Sequence, residues 1–517
     1  MIQSSPFGAL DVPRRSFADH ALACAGDGDR AALIDGTSGR TLSFAELERS
    51  VRSVAAALAE RGLRKGEVFA ICLPNLPEYG IALLAALSLG AIVAPVNPLL
   101  APGELVHQLA DAGARYLLTL PRLLEPARET LRECGLNAIV VLGEAEGATP
   151  WTELLAHEAT PPATAIDPDI DVALLPCSSG TTGLPKGVML THRNLVANAQ
   201  QLIRWPLDMA QGTVAIGAPP MFHSFGVSLY FGALLPRGVT VITLQRFELE
   251  LFLRLIERHR AGYAAIVQPI ARALAEDALV ERYDLSSLRR ITSGSAPLGE
   301  ALSLALERRL GVQVFESYGM TELCGASHAQ RPGDPKSSVG VALAGIEWQA
   351  VDPDTGRALN VREQGEIRVR GPNVMKGYLN RPQDSSLEAP GWLRTGDLGY
   401  ADEQGRLYIT GRLKELIKVS GYQVAPEELE ALLRLHPEVC EACVVGRPDG
   451  AGGEAPVAYV VRKGPVEAQT LAALVAARVA PYKRLAAVFF VDALPRSHTG
   501  KVLRSALAAR KKDRPEP

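Results

Sequence analysis

Short apolar runs alternate with amphipathic helical patterns through most of the chain. The apolar runs are rich in Val, Ile and Ala, and representative ones lie at residues 68–73, 239–244 and 264–267. Between the last two of these runs, Leu251, Leu255 and His259 share one helical face, with Phe252 and Ile256 beside them. This alternation predicts parallel β-sheets covered by helices from about residue 41 to residue 330.

Two further strand-like runs end in loops of small and polar residues. Arg290 and Ile291 lead into TSGSAPLG at 292–299, and the run at 312–315 leads into ESYGMTE at 316–322. Ligands of open α/β sheets collect at the carboxyl ends of the strands. Both loops are therefore predicted to lie where a ligand site would form.

The pattern changes after about residue 338. Strand-like runs separated by turns, at 365–371 and 406–410, predict a β-rich unit. Beyond Gly411 a helix (426–435), two strands (439–445 and 456–461) and a second helix (471–479) predict a small α+β domain. The tail at 509–517 has almost no apolar residues and is predicted to be disordered.

Composition agrees with a multidomain globular protein. The chain has 517 residues, of which 47% are hydrophobic and 21% charged, with a formal net charge of -3. This charge balance predicts no nucleic-acid partner. The longest uncharged run, 80–96, is shorter than the roughly 18 to 20 apolar residues of a membrane span. Because Gly90 and Pro95 interrupt it, it predicts a helix followed by a strand.

Targeting and cysteine patterns predict a cytoplasmic protein. The first residues mix prolines, an acid and two arginines, unlike a secretion signal. Seven cysteines with irregular spacing do not outline a disulfide framework. Cys440 and Cys443 form a CxxC, but it has no second pair and it enters an apolar run. They are predicted to be core residues rather than zinc ligands.

The segment SSGTTGLPKG, residues 178–187, has the composition of a phosphate-binding loop. Its three glycines allow backbone N–H groups to approach an anion, its four hydroxyl groups add donors, and Lys186 adds a positive charge. It is not the P-loop G-x-x-x-x-G-K-[ST], because Pro185 stands at the second glycine position and Gly187 replaces the Ser/Thr.

The longer segment DVALLPCSSGTTGLPKGVMLTHRNL resembles the first core motif of the adenylate-forming superfamily. This superfamily includes acyl-CoA synthetases, coumarate-CoA ligases, luciferases and peptide-synthetase adenylation domains. Further motifs of the superfamily follow in order: PPMFHSFG, SGSAPLG, ESYGMTE, GWLRTGDLG, ITGRLKELIKVSGYQVAPEELE and PRSHTGKVLR. Seven ordered motifs between residues 172 and 504 make the resemblance specific.

The resemblance and the element pattern together imply an α/β fold with two parts. Residues 1–410 would form a large N-terminal adenylation core of two doubly wound αβ subdomains plus a β-rich subdomain. A hinge at 411–414 would connect it to a small, mobile α+β lid domain at 415–517. Lys414 occupies the hinge position of the family.

The activity implied is that of an acid–thiol ligase. A carboxylic acid reacts with ATP and Mg²⁺ to give an acyl-adenylate and pyrophosphate, and coenzyme A then takes the acyl group and releases AMP. Because an anion attacks a polyanion, the site needs positive charge. The catalytic groups implied are Lys501, Thr321, Glu322 and His223.

Each motif carries a role by resemblance. Lys186 would grip the β- and γ-phosphates, Glu322 would bind Mg²⁺ with a contribution from Thr182, and Lys501 would bridge the carboxylate and the α-phosphate. Thr321 would contact the α-phosphate, and His223 would lie at the acyl pocket. The phosphate loop also includes Ser178, Ser179, Gly180, Thr181, Thr182 and Gly183.

Nucleotide selection falls on other residues by resemblance. Tyr318 would stack on adenine, Glu316 would accept from its amine, and Asp397 and Arg412 would hold the ribose. Gly421 would line the pantetheine tunnel for CoA. The nucleotide-binding set also includes Gly294, Ser295, Ser317 and Gly319.

The acyl substrate and the acceptor stay open at the level of sequence. The MFHSFG segment lacks the Asp that holds an amino group in peptide-synthetase domains, which disfavours amino acids but leaves fatty, aryl or cinnamyl, and polycyclic or polyketide acids. A carrier-protein thiol is the alternative acceptor, a P-loop phosphotransferase is a distant alternative function, and a homodimer is open. Departures from the common motifs are Cys177, Gln268, Ser317 and Gly411.

Overall fold

The computed structural model describes residues 1–23, 28–178, 186–205, 209–419, 422–449, 454–496 and 502–510. The chain divides into two compact units. The large unit comprises residues 4–347 and 369–393, and the C-terminal unit comprises 1–3, 348–368 and 394–517. The hinge at 411–414 and the boundaries on either side of it stay a prediction.

A first sheet of the large unit has parallel strands at its centre and antiparallel strands at its two ends. Hydrophobic residues of these strands, including Ile216, Ile266 and Ile291, are buried with those of the covering helices. The predicted parallel sheet is confirmed. In order across the sheet, the strands are Val341–Ala342, His328–Ala329, Gln313–Tyr318, Arg290–Ser293, Tyr263–Ile266, Val214–Gly217, Thr240–Thr243, Ala31–Asp35 and Thr41–Ser43.

A second sheet of the large unit is parallel in its middle and ends in antiparallel strands next to the phosphate loop. In order, its strands are Cys177–Ser178, Lys186–Thr191, Val172–Leu174, Ile92–Pro95, Val68–Ile71, Ala114–Thr119, Ala138–Val141 and Thr149–Pro150. Gly377–Tyr378 pairs with the strand Lys186–Thr191 off this path. A two-residue strand from a distant segment thus reaches the strand that begins at Lys186.

Helices cover these sheets, and several begin at sequence signals for helix N-termini. Ser43 and Glu46 form a capping box, and Thr191 and Asn194 form another. The uncharged run 80–96 contains the end of one helix and a strand, as predicted. The longer helices of the large unit are Phe44–Glu60, Pro77–Ser88, Pro102–Ala112, Pro121–Leu131, His192–Arg204, Leu249–His259, Gln268–Glu276 and Glu300–Leu310. Among the described residues, no helix is both apolar enough and long enough to cross a bilayer.

The C-terminal unit contains antiparallel strands and a small α+β region. Residues 397–401 of the strand Trp392–Ala401 pair antiparallel with the strand Leu407–Arg412, and Val439–Pro448 pairs antiparallel with Glu454–Arg462. Ala487–Phe490 runs parallel to the latter. The helices Pro426–Leu433 and Ala468–Ala476 bury Leu429 and Leu471 in the same core.

The C-terminal α+β pattern predicted from the sequence is confirmed. Cys440 and Cys443 lie within the strand Val439–Pro448, and Cys443 is buried. Burial raises the pKa of the Cys443 thiol to about 12, as expected for a cysteine in a protein core. The prediction of a disordered tail falls largely on residues 511–517, which lie outside the described residues.

Candidate functional site

The carboxyl ends of neighbouring parallel strands bring two motif loops to one edge of the first sheet. Ser293, which ends the strand Arg290–Ser293, lies opposite Glu316 in the strand Gln313–Tyr318. The segment at 294–299 leaves the first strand there, and the segment at 319–322 leaves the second. Their proximity follows from the parallel register.

Glycine residues, which have no side chain, let these two loops pack closely. The Ser317 hydroxyl donates to the Ser293 carbonyl at 3.5 Å, and a Cβ on Gly294 would lie 3.2 Å from the Ser317 oxygen. A Cβ on Gly319 would lie 1.9 Å from the Gly325 carbonyl oxygen, which no side chain tolerates. Ser295 has a positive φ of 71°, so its backbone is held in a conformation that most residues avoid.

Glu316 is buried beneath the first of these loops. Its carboxylate accepts a hydrogen bond from the Leu298 amide at 3.2 Å. Burial raises the pKa of Glu316 to about 7, although bonds from the Leu298 and Gly299 amides oppose the shift. Glu316 therefore holds the loop in place, and its contact with the adenine amine stays a prediction.

Replacing Glu316 with glutamine should change how stability depends on pH. The raised pKa means that the folded protein holds a proton that the unfolded chain releases between pH 4.5 and about 7, so wild-type stability falls as pH rises through this window. At pH 8 Glu316→Gln should be more stable by on the order of 2 kcal/mol, and at pH 4.5 about equal. Thermal denaturation at both pH values, with the exposed Glu300→Gln as control, measures this. A pH-independent difference would contradict it.

Tyr318 packs beside a buried histidine. The ring centroids of Tyr318 and His328 are 5.9 Å apart with an interplanar angle of 58°. Burial lowers the pKa of His328 to about 3, so this imidazole is neutral. Tyr318 itself is only half-buried, which leaves part of its ring accessible for the predicted stacking on adenine.

The Thr321–Leu323 turn is held by buried amide side chains. The Asn373 amide donates to the Leu323 carbonyl at 2.9 Å, and the Asn198 amide donates to the Ala326 carbonyl at 2.7 Å. The Glu322 side chain is inside this turn and only 4% exposed. Glu322 is therefore a carboxylate fixed by structure around it, as a metal ligand requires.

Tyr378 connects Glu322 with Lys186, a relation that sequence reasoning missed. The Tyr378 hydroxyl donates to Glu322 Oε1 at 2.8 Å, and Lys186 Nζ lies 4.7 Å from the centre of the Tyr378 ring. Burial, followed by the neighbouring Glu322, raises the pKa of Tyr378, so the phenol stays protonated as a donor. The two-residue strand Gly377–Tyr378 is too short to give a periodic signal in the sequence.

Lys186 also has an anionic partner that the sequence did not indicate. Its ammonium group lies 2.7 Å from Asp384 Oδ2, and both side chains are largely buried. Although burial alone would raise it, hydrogen bonds from Lys186 and Ser386 leave the pKa of Asp384 below its ordinary value. The Asp384 carboxylate thus occupies one anion position beside Lys186.

His223 precedes an irregular helical segment. It is half-buried, next to the short helix Ser224–Gly226, and its ring centroid is 5.9 Å from that of Phe222. The helix continues as a π-helical segment, Val227–Leu234, a form often found at functional sites. The predicted role of His223 at the acyl pocket stays a prediction.

In the C-terminal unit the two predicted ribose residues meet. Asp397 and Arg412 lie opposite each other in antiparallel strands, and Arg412 Nε is 2.9 Å from Asp397 Oδ1. Lys414 lies in the short 3₁₀ helix Leu413–Glu415 that follows directly. The structure therefore brings Asp397 next to Arg412, although the two residues belong to different sequence motifs.

Several predicted residues lie outside the described part of the chain. Ser178 lies in a strand opposite Lys186, so the described structure brackets the phosphate loop on both sides. The undescribed ones are Ser179, Gly180, Thr181, Thr182, Gly183, Gly421 and Lys501.

Magnesium fits the donors available at this site. Within the described ranges, no cluster of three or more His, Cys, Asp or Glu side chains could hold a metal by itself. Glu322 provides one hard carboxylate, and Mg²⁺ is commonly held by one or two carboxylates together with substrate phosphates. Glu322 and Lys186, the lysine predicted to bind phosphate, both contact Tyr378, which gives the site this character.

Comparisons with known proteins match nearly the whole chain. Residues 21–379 match the profile described as AMP-binding enzyme, and residues 428–501 match AMP-binding enzyme C-terminal domain. The 4-coumarate–CoA ligase 1 of Solanum tuberosum is 40% identical over 497 residues, covering 93% of this chain and 91% of the relative.

Solved structures are similar in fold to this chain over nearly its whole length. ATP-bound MatB from Rhodopseudomonas palustris is 30% identical with a TM-score of 0.88, covering 96% of this chain and 98% of that one. The o-succinylbenzoate CoA synthetase MenE from Bacillus subtilis, in complex with its acyl-adenylate intermediate, is 33% identical with a TM-score of 0.84, covering 98% and 100%.

Proposed function

The chain belongs to the AMP-binding enzyme family and is an ATP-dependent, AMP-forming acyl-CoA synthetase, and on this basis we propose that it activates an aryl or arylpropenoic acid. It converts a small carboxylic acid to an acyl-adenylate with release of pyrophosphate. It then transfers the acyl group to coenzyme A with release of AMP. The acid itself and the roles of individual residues form the proposal.

The main observation in support of the proposed site is that Lys186 and Glu322 both contact Tyr378. A cation and a hard carboxylate joined by one phenol suit a polyphosphate with its metal ion. We assign Lys186 to the β- and γ-phosphates of ATP. When the nucleotide binds, the Lys186 ammonium group leaves Asp384 and pairs with these phosphates. We assign Glu322 to Mg²⁺, whose charge neutralises the phosphates when it is bound.

The nucleoside roles follow from the same motifs. Tyr318, which is half-buried, is assigned to stack on adenine, and the backbone at Gly294 and Ser295 is assigned to the neighbourhood of the base. Asp397 and Arg412 are assigned to the ribose, because a carboxylate can accept from both hydroxyls of a diol. Thr321 is assigned to the α-phosphate, and Lys501 to the attacking carboxylate.

The aryl substrate is supported by the named relatives of this chain. Relatives about 40% identical are named 4-coumarate–CoA ligases. A Cβ on Gly294 would lie 3.8 Å from the Phe225 ring, and a Cβ on Gly325 would lie 3.3 Å from the Phe225 Cα. Phe225 therefore packs closely against the backbone of both glycines, in the segment that follows His223.

Three further properties of this protein are also proposed. They are a carrier-protein thiol as the alternative acceptor, a homodimer and a cytoplasmic location, all predicted from the sequence. A fatty acid or a polycyclic acid is the competing substrate class.

Pyrophosphate exchange into ATP across a panel of acids tests the function. Coumaric, cinnamic, benzoic, anthranilic and long-chain fatty acids should be compared, followed by addition of CoA or a carrier protein with the best acid. Exchange should be fastest with an aryl or arylpropenoic acid, AMP should accumulate, and CoA should be the acceptor. A preference for fatty acids would overturn the substrate proposal, and formation of ADP without exchange would overturn the adenylation chemistry.

A further inference from the structure

We propose that Tyr378 is a positioning residue for adenylation, with its hydroxyl orienting Glu322 and its ring face holding the Lys186 ammonium. The proposal rests on the proposed function for the roles of Lys186 and Glu322. The roles of Lys186 and Glu322 come from their motifs, whereas that of Tyr378 comes only from its contacts. These contacts connect one rigid side chain both to the lysine that is assigned to the phosphates and to the carboxylate that is assigned to the metal ion.

The two ends of the Tyr378 side chain have different partners. The hydroxyl donates to Glu322 Oε1 at 2.8 Å, and Lys186 Nζ lies over the ring at 4.7 Å from its centre. An aromatic side chain has only two rotatable angles, so little entropy is lost in holding both contacts. One rigid side chain therefore contacts both the lysine and the carboxylate.

The backbone around Tyr378 is tied to the same two elements. The Leu379 backbone amide donates to the Gly187 carbonyl at 2.8 Å, and the Lys376 backbone amide donates to the Met189 carbonyl at 2.9 Å. Met375 donates to the Glu322 carbonyl at 2.9 Å. The segment around Tyr378 is thus bonded both to the strand that begins at Lys186 and to the Glu322 turn.

Tyrosine has the chemistry that both contacts require. A neutral hydroxyl donates to one carboxylate oxygen without adding a charge that would compete with a metal ion for Glu322. The negative face of the ring attracts the ammonium group without neutralising it, as a second carboxylate would. Phenylalanine keeps only the ring contact with Lys186, and leucine keeps neither contact.

Tyr378→Phe and Tyr378→Leu separate the two contacts. Loss of the hydroxyl should raise the Mg²⁺ concentration for half-maximal pyrophosphate exchange about tenfold in both variants. In EDTA, the dissociation constant of ATP should stay within about twofold of wild type for Tyr378→Phe and rise about fivefold for Tyr378→Leu. Calorimetry of ATP binding without metal gives a readout that does not depend on turnover. Mn²⁺ binding to the enzyme with a non-hydrolysable ATP analogue, followed by electron paramagnetic resonance, gives a second.

Tyr283→Phe is the matched control, since it removes a phenol–carboxylate bond elsewhere in the large unit. The Tyr283 hydroxyl lies 3.2 Å from Glu250 Oε1, and its loss should leave the metal and ATP constants unchanged. Unchanged metal constants in Tyr378→Phe would overturn the orienting role. Equal losses in Tyr378→Phe and Tyr378→Leu in every measurement, with a lower Tm, would show a merely structural role and also overturn it. If none of the acids supported pyrophosphate exchange by the wild-type enzyme, the proposed function would be refuted. ATP binding in EDTA would still test the ring contact.

Discussion

Lys501→Ala should reduce pyrophosphate exchange about a thousandfold, while thioester formation from supplied acyl-adenylate changes less than about threefold. Lys501 is assigned by its motif to the carboxylate and the α-phosphate during adenylation. A cation aimed at developing charge in a closed site contributes far more than one in water. We propose that the thiol attack, after the adenylate has formed, uses a different surface of the C-terminal domain.

The two half-reactions should be measured separately in each variant. Lys463→Ala, on an exposed lysine of the same unit, is the control and should retain both rates. A bulky residue at Gly421 should show the reverse pattern, since Gly421 is assigned by its motif to the CoA tunnel. Equal loss of both steps in both variants would refute the assignment to two conformations.

Arg504→Met should destabilise the C-terminal unit by about 3–5 kcal/mol. Arg504 lies 2.7 Å from Glu415 and 2.9 Å from Glu427, contacts Glu430, and donates to the Val444 carbonyl at 2.9 Å. Glu430 is only 5% exposed. Methionine would therefore leave buried carboxylates without their cation, and this penalty exceeds the worth of a surface ion pair.

Thermal unfolding and limited proteolysis of the C-terminal unit measure this effect. Arg478→Met makes the same change at an exposed site, where the guanidinium donates to the Leu474 carbonyl of the preceding helix at 3.0 Å, and it should cost less than about 0.5 kcal/mol. The deficit of Arg504→Met should be largest near pH 8 and smaller near pH 5.5, because protonation discharges the unpaired carboxylates. Burial already raises the pKa of Glu427 to about 7 with Arg504 present. A deficit equal to that of Arg478→Met would contradict the role of the cluster.

The Arg504 cluster also joins two motifs within the C-terminal unit. Glu415 directly follows the predicted hinge residue Lys414, whereas Arg504 ends PRSHTGKVLR and begins the helix Arg504–Ala508. The sequence presents these motifs as separate segments. The ion pair connects the residue after the hinge to the segment that carries Lys501.

Local patterns predicted the elements well because helix and strand periodicity arises from neighbouring residues. The uncharged run 80–96 was predicted to contain a helix and a strand, and the structure has them at Pro77–Ser88 and Ile92–Pro95. Boundaries were less accurate. The helix predicted at 471–479 lies at Ala468–Ala476, because local capping and packing decide where a helix ends.

By itself the sequence determined the family, the α/β fold and the motif residues Lys186, Glu322 and Lys501, since these depend on residue types at fixed spacing. Only the tertiary structure decided which side chains surround them. Tyr378 and Glu322 are 56 positions apart, and Lys186 and Asp384 are 198 positions apart. Contacts at such separations depend on how distant strands pair, and no periodicity within the chain specifies that pairing.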